Sequence, residues 1–190
     1  MNTARELFVH ELQDMLDAER KLVKALGEQA QESTRPDCQK AFSQHQQQTA
    51  KQAERLQEVF SILGEQPEET ECKGIKGLIE EHDSFKEEEP APDLLDMFNV
   101  GAAVKVERYE MSAYESLIRL ASELGLSTKA ARLLNQNLKE EQQTLKKVEM
   151  LSRKLKPENL GVEEMEQEQQ GRRSGRKSAR SSSRRSRRAA

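Results

Sequence analysis

The chain has 190 residues, of which 34% are charged and only 4% aromatic, with no tryptophan. Glu, Gln, Lys, Leu, Ala and Arg dominate while Val and Ile are sparse, which suits long exposed helices and excludes a sheet-based fold. The net charge of −3 hides a split: residues 171–190 hold nine of the 31 bases and no acid, which leaves 22 bases against 34 acids, a net of −12, in residues 1–170.

The start, MNTARELFVHELQDM, is amphipathic and acidic and does not read as a signal or transit peptide. Four segments carry a stripe that steps alternately by three and four residues, as one face of a helix must. The first is predicted over about residues 3–31, with Phe8, Leu12, Met15, Glu19, Leu22 and Leu26 on its stripe, and stops at Ser33-Thr34-Arg35-Pro36. The second runs over about 38–63 with Asp37 as its cap, Gly64 at its end, and Phe42, His45, Thr49, Gln52, Leu56, Val59 and Leu63 on its stripe. A short helix is expected near Ile75–Lys86. The third long helix follows Pro90 and Pro92, carries Ala103, Glu107, Glu110, Tyr114, Leu117, Ala121 and Leu124, and ends at Gly125. Ser127 or Thr128 caps the fourth, whose stripe is Leu134, Leu138, Glu141, Leu145, Val148, Ser152 and Leu155, with Pro157 closing it.

Short turns join helices one to two and three to four, so each pair is an antiparallel hairpin. The segment between the pairs is long enough to return along a helix of about 40 Å, at about 1.5 Å per residue. The expected fold is all-α: a ferritin-like four-helix bundle over residues 1–157, two hairpins joined by a long crossover.

Acids interrupt the stripes. Glu19, Glu107, Glu110 and Glu141 lie mid-helix on apparently apolar lines, and the second helix is polar at the same height, at His45, Thr49 and Gln52. Burying an unpaired carboxylate costs several kcal/mol, and several together repel unless protons or cations intervene. One or two iron or manganese ions would resolve the conflict, since both accept hard oxygen ligands. The competing reading is that each acid sits at a helix rim and pairs with Arg20, Lys105, Arg108 or Lys139. No Glu-x-x-His occurs in the four helices, and His45 is the one histidine on a stripe. His10 and His82 read as solvent-facing, and Cys38 and Cys72 as free thiols in a reducing interior.

The segments ELQDMLDAERKLVKAL (11–26), FSQHQQQTAKQAERLQEVF (42–60), KGIKGLIEE (73–81), KVERYEMSAYESLIRLASELG (105–125) and LLNQNLKEEQQTLKKV (133–148) resemble the YciE/YciF family of bacterial ferritin-like stress proteins. The resemblance covers about residues 3–155 in order. It implies a ferritin-like bundle, a homodimer, a link to stress, a di-metal site and no established enzymatic activity. By position, Glu19, Glu107, Glu110 and Glu141 match acids of the family pattern. This chain departs from it at His45-Gln46-Gln47-Gln48-Thr49, where the family often has acids, and at Leu145, where an Asp is common. One ion, a weak site or none is therefore as open as two.

Beyond Pro157 the stripe ends. Residues 158–190 read as a disordered linker and tail, finishing in GRRSGRKSARSSSRRSRRAA. Arg172, Arg173, Arg176, Lys177, Arg180, Arg184, Arg185, Arg187 and Arg188 favour DNA or RNA, bound through phosphate without regard to sequence. The alternative is a tail that folds back on the acidic body. No apolar run approaches the roughly 20 residues that span a bilayer, so the expected location is the cytoplasm. Two functions follow: a non-catalytic or weakly metal-binding stress protein with a nucleic-acid-contacting tail, or a di-iron or di-manganese oxidase or peroxide-scavenging enzyme. No nucleophile or general-base constellation appears, which favours the first, and nothing marks surfaces that would close a storage cage.

Overall fold

Thr3 opens the first helix, α1 (Ala4–Glu32), by a reciprocal cap: its side chain accepts from the Glu6 amide while the Glu6 carboxylate accepts from the Thr3 amide. The computed structural model describes residues 1–158; the basic tail lies outside them, and with it the expectation of disorder there. Two units are distinguished, Met1–Lys156 and Pro157–Ala190, and the first carries every helix among the described residues.

The second helix, α2 (Pro36–Leu63), starts one residue before the expected cap. Asp37 is not the cap. Pro36 occupies the first helical position, where its missing N–H would have been unpaired in any case, and Asp37 instead accepts two bonds from the Arg35 guanidinium at 3.0 and 2.9 Å. The turn before it is held from across the bundle, because Asp96 accepts from the Thr34 and Arg35 amides and from the Thr34 hydroxyl. Gly64 ends α2 at φ 71°, in the left-handed region that glycine enters without a Cβ penalty.

The crossover contains α3 (Lys73–Glu87), and α4 (Pro92–Glu123) and α5 (Thr128–Ser152) complete the chain of helices. Ser127 caps α5 by accepting from the Ala130 amide, and α5 stops at Ser152, well before Pro157. Helices α1 and α2 form one hairpin and α4 and α5 the other; α2 packs on α5 and α1 on α4, closing the four-helix bundle. Helix α3 lies against α1 and α4. At Gly74 a Cβ would stand 2.5 Å from the Tyr109 ring, so the missing side chain is what lets α3 approach α4 there.

Phe8, Leu12, Met15, Phe42, Leu56, Phe60, Leu117 and Leu134 are fully buried, each contributing roughly 1.5–3 kcal/mol of transfer free energy. On α5 the centre line differs from the predicted one. It runs through Ala130, Leu134, Asn137, Glu141, Thr144, Val148 and Leu151, while Leu138 and Leu145 flank it half-buried and Ser152 is exposed. Polar side chains hold the centre because each finds partners: Asn137 donates to the Tyr114 hydroxyl at 2.9 Å, and Thr144 accepts from Gln48 at 3.0 Å. Among the described residues no helix is long and apolar enough to cross a membrane.

Candidate metal centre

Halfway along the bundle the interior turns polar. Glu19, His45, Glu107, Glu110 and Glu141 are all buried, the four glutamates at no more than 1% exposure. Helices α2, α4 and α5 bring His45, Glu107, Glu110 and Glu141 together so that one ligand atom from each lies within 4.8 Å of all the others. The i,i+3 spacing of Glu107 and Glu110 places both on one face of α4.

Glu19, the fifth predicted ligand, lies outside that quartet. One of its oxygens accepts from the Tyr114 hydroxyl, which is itself anchored by Asn137, and the Asn137 carbonyl oxygen accepts from Arg55 at 2.7 Å. Gln52 donates to one oxygen of Glu141. Tyr114 and Gln52 lie on the predicted stripes; Asn137 does not, because the apolar pattern of the fourth long helix passes through Leu138 instead.

The remaining donors are unpaired. Both oxygens of Glu107, both of Glu110, one of Glu141 and both ring nitrogens of His45 are buried without a hydrogen-bond partner. His45 Nε2 stands 3.1 Å from Glu107 Oε1 and 3.8 Å from Glu141 Oε2, within ion-pair distance but without hydrogen-bond angles. Two of the four bases named as possible rim partners are engaged elsewhere: Lys105 pairs with Glu81, and Arg108 with Glu149, each at 2.8 Å.

Burial, and after it the Glu141 carboxylate, pushes the carboxyls of Glu19, Glu107 and Glu110 well above the usual glutamate value of 4.5. Tyr114 is likewise raised, by burial and by Glu19. Burial thus disfavours the charged form of these three carboxyls, a cost that a cation of suitable size would offset.

The donor chemistry suits such an ion. One imidazole and three carboxylates match a first-row divalent metal of the iron or manganese kind, and the orphaned buried oxygens are the observation that supports the fit. A second ion would be short of ligands. Glu19 is partly engaged by Tyr114, Gln52 occupies part of Glu141, Gln48 donates to Thr144, and Leu145 offers no donor.

The family model described as Domain of unknown function (DUF892) matches residues 3–161. Protein YciF of Escherichia coli K12 is 35% identical over 145 residues, which is 76% of this chain and 87% of that protein. The chain belongs to the DUF892 family. The crystal structure of the E. coli stress protein YciF superposes with a TM-score of 0.76 at 34% identity, covering 80% of this chain and 96% of that one. YcfI from Rhodopseudomonas palustris does so with a TM-score of 0.75 at 36% identity, over 78% and 94% of the two chains. A protein from Xanthomonas campestris pv. campestris, 18% identical with a TM-score of 0.64, shares the fold. The resemblance drawn from the sequence is thereby borne out, and with it the ferritin-like bundle of this DUF892 protein.

Two further expectations need correction. His82 is not solvent-facing: it is buried at 6% exposure, with Nε2 at 2.8 Å from both Glu32 Oε1 and Asn99 Oδ1. Helix α3 has a stripe of its own, and His82 falls on it after Ile75, Leu78 and Ile79. The rim pairing of Lys105 and Arg108 with the stripe acids does not occur either, because the acids face the bundle axis and the bases point outward. His10 is exposed, as expected, and both cysteines are free thiols, though buried ones.

Proposed function

We propose that this DUF892 protein, akin to the E. coli stress protein YciF, binds one iron(II) or manganese(II) ion at His45, Glu107, Glu110 and Glu141 and carries no di-metal oxidase activity. The observation behind this reading is the set of buried carboxylate and imidazole atoms that converge without hydrogen-bond partners. A satisfied structural core leaves few such atoms. When bound, the ion would supply Lewis acidity and charge compensation; His45 and the three glutamates would hold it, and Gln52 would orient Glu141 from outside the ligand set. The oxidase reading has weaker support, since α2 contributes His45, Thr49 and Gln52 at this level and no carboxylate.

Elemental mass spectrometry on untagged protein, loaded with iron(II) or manganese(II) and dialysed, tests the site. About one ion per chain, lost in Glu107→Gln, is the expected result for a single four-donor set. Close to two ions per chain would restore the di-metal reading, and sub-stoichiometric metal would remove both.

The tail supplies the second half of the proposal. Residues 171–190, with nine cations and no acid, are proposed to bind DNA or RNA through phosphate. Removing them should abolish gel retardation of duplex DNA. In the full chain, log affinity should fall with log salt at a slope near about −8, from about 0.9 per phosphate for nine contacts.

A further inference from the structure

Helix α5 turns a face to solvent whose charge runs against that of the body around it. Arg132, Lys139, Lys146 and the C-cap residue Arg153 are all exposed. They stand seven residues apart, close to two helical turns, so the four form one row. Gln136, Gln143 and Met150 fill the steps of three and four between them and are exposed too. The row carries no acid from end to end, over about 32 Å at about 1.5 Å per residue. Residues 128–156 hold eight bases against three acids, whereas the rest of residues 1–170 hold 14 bases against 31 acids.

The three acids of α5 are kept off this row. Glu141 is buried among the glutamates. Glu140 and Glu149, half-buried, fall at the margins of the exposed face and are taken up by neighbouring helices, through Arg55 of α2 and Arg108 of α4. Among the described residues, none of the four cations of the row enters an ion pair or a hydrogen bond. Two ordinary explanations fall short. The helix macrodipole favours cations in the last turn, which accounts for Arg153 and not for the other three. A solvated helix gains from i,i+4 pairs of opposite sign, and a chain richer in acids than in bases has given up that gain here. The cations stand about 10.5 Å apart, near the Debye length of about 10 Å at 0.1 M salt, so they repel one another little and act together only on an extended polyanion. Duplex nucleic acid is one, with a negative charge for about every 1.7 Å of axis, and the Gln136 and Gln143 amides can donate to its phosphate oxygens as well. A carboxylate-rich protein surface would also attract the row. Nucleic acid is favoured because the nine-cation tail follows α5 in the same chain, so that both can engage one polyanion.

We propose that the outer face of α5, through Arg132, Lys139, Lys146 and Arg153, is a second contact surface for the phosphate backbone of duplex nucleic acid. It rests on the nucleic-acid reading of the tail for its affinity: residues 1–170 alone carry a net of −12, and four cations do not hold a polyanion against that charge.

The test measures duplex DNA binding by the full chain between about 50 and about 200 mM salt. The slope near about −8 counts the tail's nine cations alone; the row steepens it by up to about 3.6, at about 0.9 for each of four cations. Arg132→Gln, Lys139→Gln, Lys146→Gln and Arg153→Gln combined should make the slope shallower by that amount and weaken binding about tenfold or more at about 0.1 M salt. A control replaces Arg20, Lys24, Lys40 and Lys51, four exposed bases of α1 and α2, by Gln. It changes net charge equally and should leave the slope as it is. An unchanged slope in the α5 variant, or an equal change in the control, overturns the α5 surface while the tail reading stands. A parent chain that does not bind duplex DNA removes the tail reading and the α5 surface with it. Acetylation of the unaltered chain gives a reading free of any folding defect: DNA should shield Lys139 and Lys146 but not Lys24 or Lys40, and equal modification with and without DNA overturns the proposal.

Discussion

Glu107 is fully buried, neither of its oxygens accepts a hydrogen bond, and burial together with Glu141 holds its carboxyl well above the usual range. Replacing it by the near-isosteric Gln removes a group that must either keep a proton or carry an uncompensated charge at neutral pH. Metal-free Glu107→Gln should therefore be more stable than the parent, by about 1–2 kcal/mol on the scale seen when buried charges are replaced, measured as a higher urea midpoint. The same change should abolish metal retention. Gain of stability with loss of binding is the signature of a site kept for function; a lower midpoint with binding intact would mark the cluster as structural. Tyr114 gives the contrasting case. Its hydroxyl donates to Glu19 and accepts from Asn137, so Tyr114→Phe leaves a buried carboxylate oxygen and an amide short of partners, costing about 1–3 kcal/mol. Metal should still bind, because Glu19 is not one of the four converging ligands.

Among the side chains that attach helix α3, His82 reaches both of the helices it packs on. Its Nε2 lies 2.8 Å from Glu32 of α1 and from Asn99 of α4; Asn99 donates to Glu32 at 3.0 Å, and Lys86 of α3 pairs with the other Glu32 oxygen at 2.5 Å. His82→Ala removes the joint between three helices and leaves Asn99 and Glu32 short of a donor. The expected loss is about 2–3 kcal/mol, concentrated in α3, so hydrogen exchange should quicken over Lys73–Glu87 while the two hairpins keep their protection. Uniform loss across the bundle would show that α3 is an integral part of the core. The sequence carried much of this scale. Proline and glycine punctuation placed the hairpins, and the apolar lines of α1, α2 and α4 matched the buried faces because their polar members still recur at three and four. The α5 line departs from the apolar pattern because hydrophobicity favours Leu138 and Leu145 over Asn137 and Thr144, and what buries Asn137 is a partner on another helix, Tyr114. His82 was legible from the spacing of Ile75, Ile79 and His82; its partners Glu32 and Asn99 were not, since neither the height nor the angle of α3 on the bundle follows from its own periodicity.

At the scale of the molecule, the buried acids couple folding to protons and, on the metal reading proposed above, to a cation. Glu19, Glu107 and Glu110 have raised folded-state values, with burial the largest cause in each. The folded chain therefore binds more protons than the unfolded one once pH exceeds the usual glutamate value of 4.5, and stability must fall as pH rises from there toward the folded values. Glu6, Asp37 and Glu71 are shifted the other way, by hydrogen bonds at the surface. Their contribution is complete above their unfolded values and is lost only on acidification below them, so they add no slope in this window. An ion that replaces the displaced protons removes the penalty. Calorimetry on metal-free protein between about pH 5.5 and about pH 7.5 should show Tm declining with pH, while the manganese-loaded protein stays nearly level. The stabilisation by metal should accordingly widen with pH. At free metal about 100-fold above Kd it amounts to about 2.7 kcal/mol, or roughly 5–10 °C in a bundle of this size. A metal-free Tm that rises across the window would mean that the acids ionise without cost in the folded state, and the electrostatic case for a cation at His45, Glu107, Glu110 and Glu141 would be lost with it.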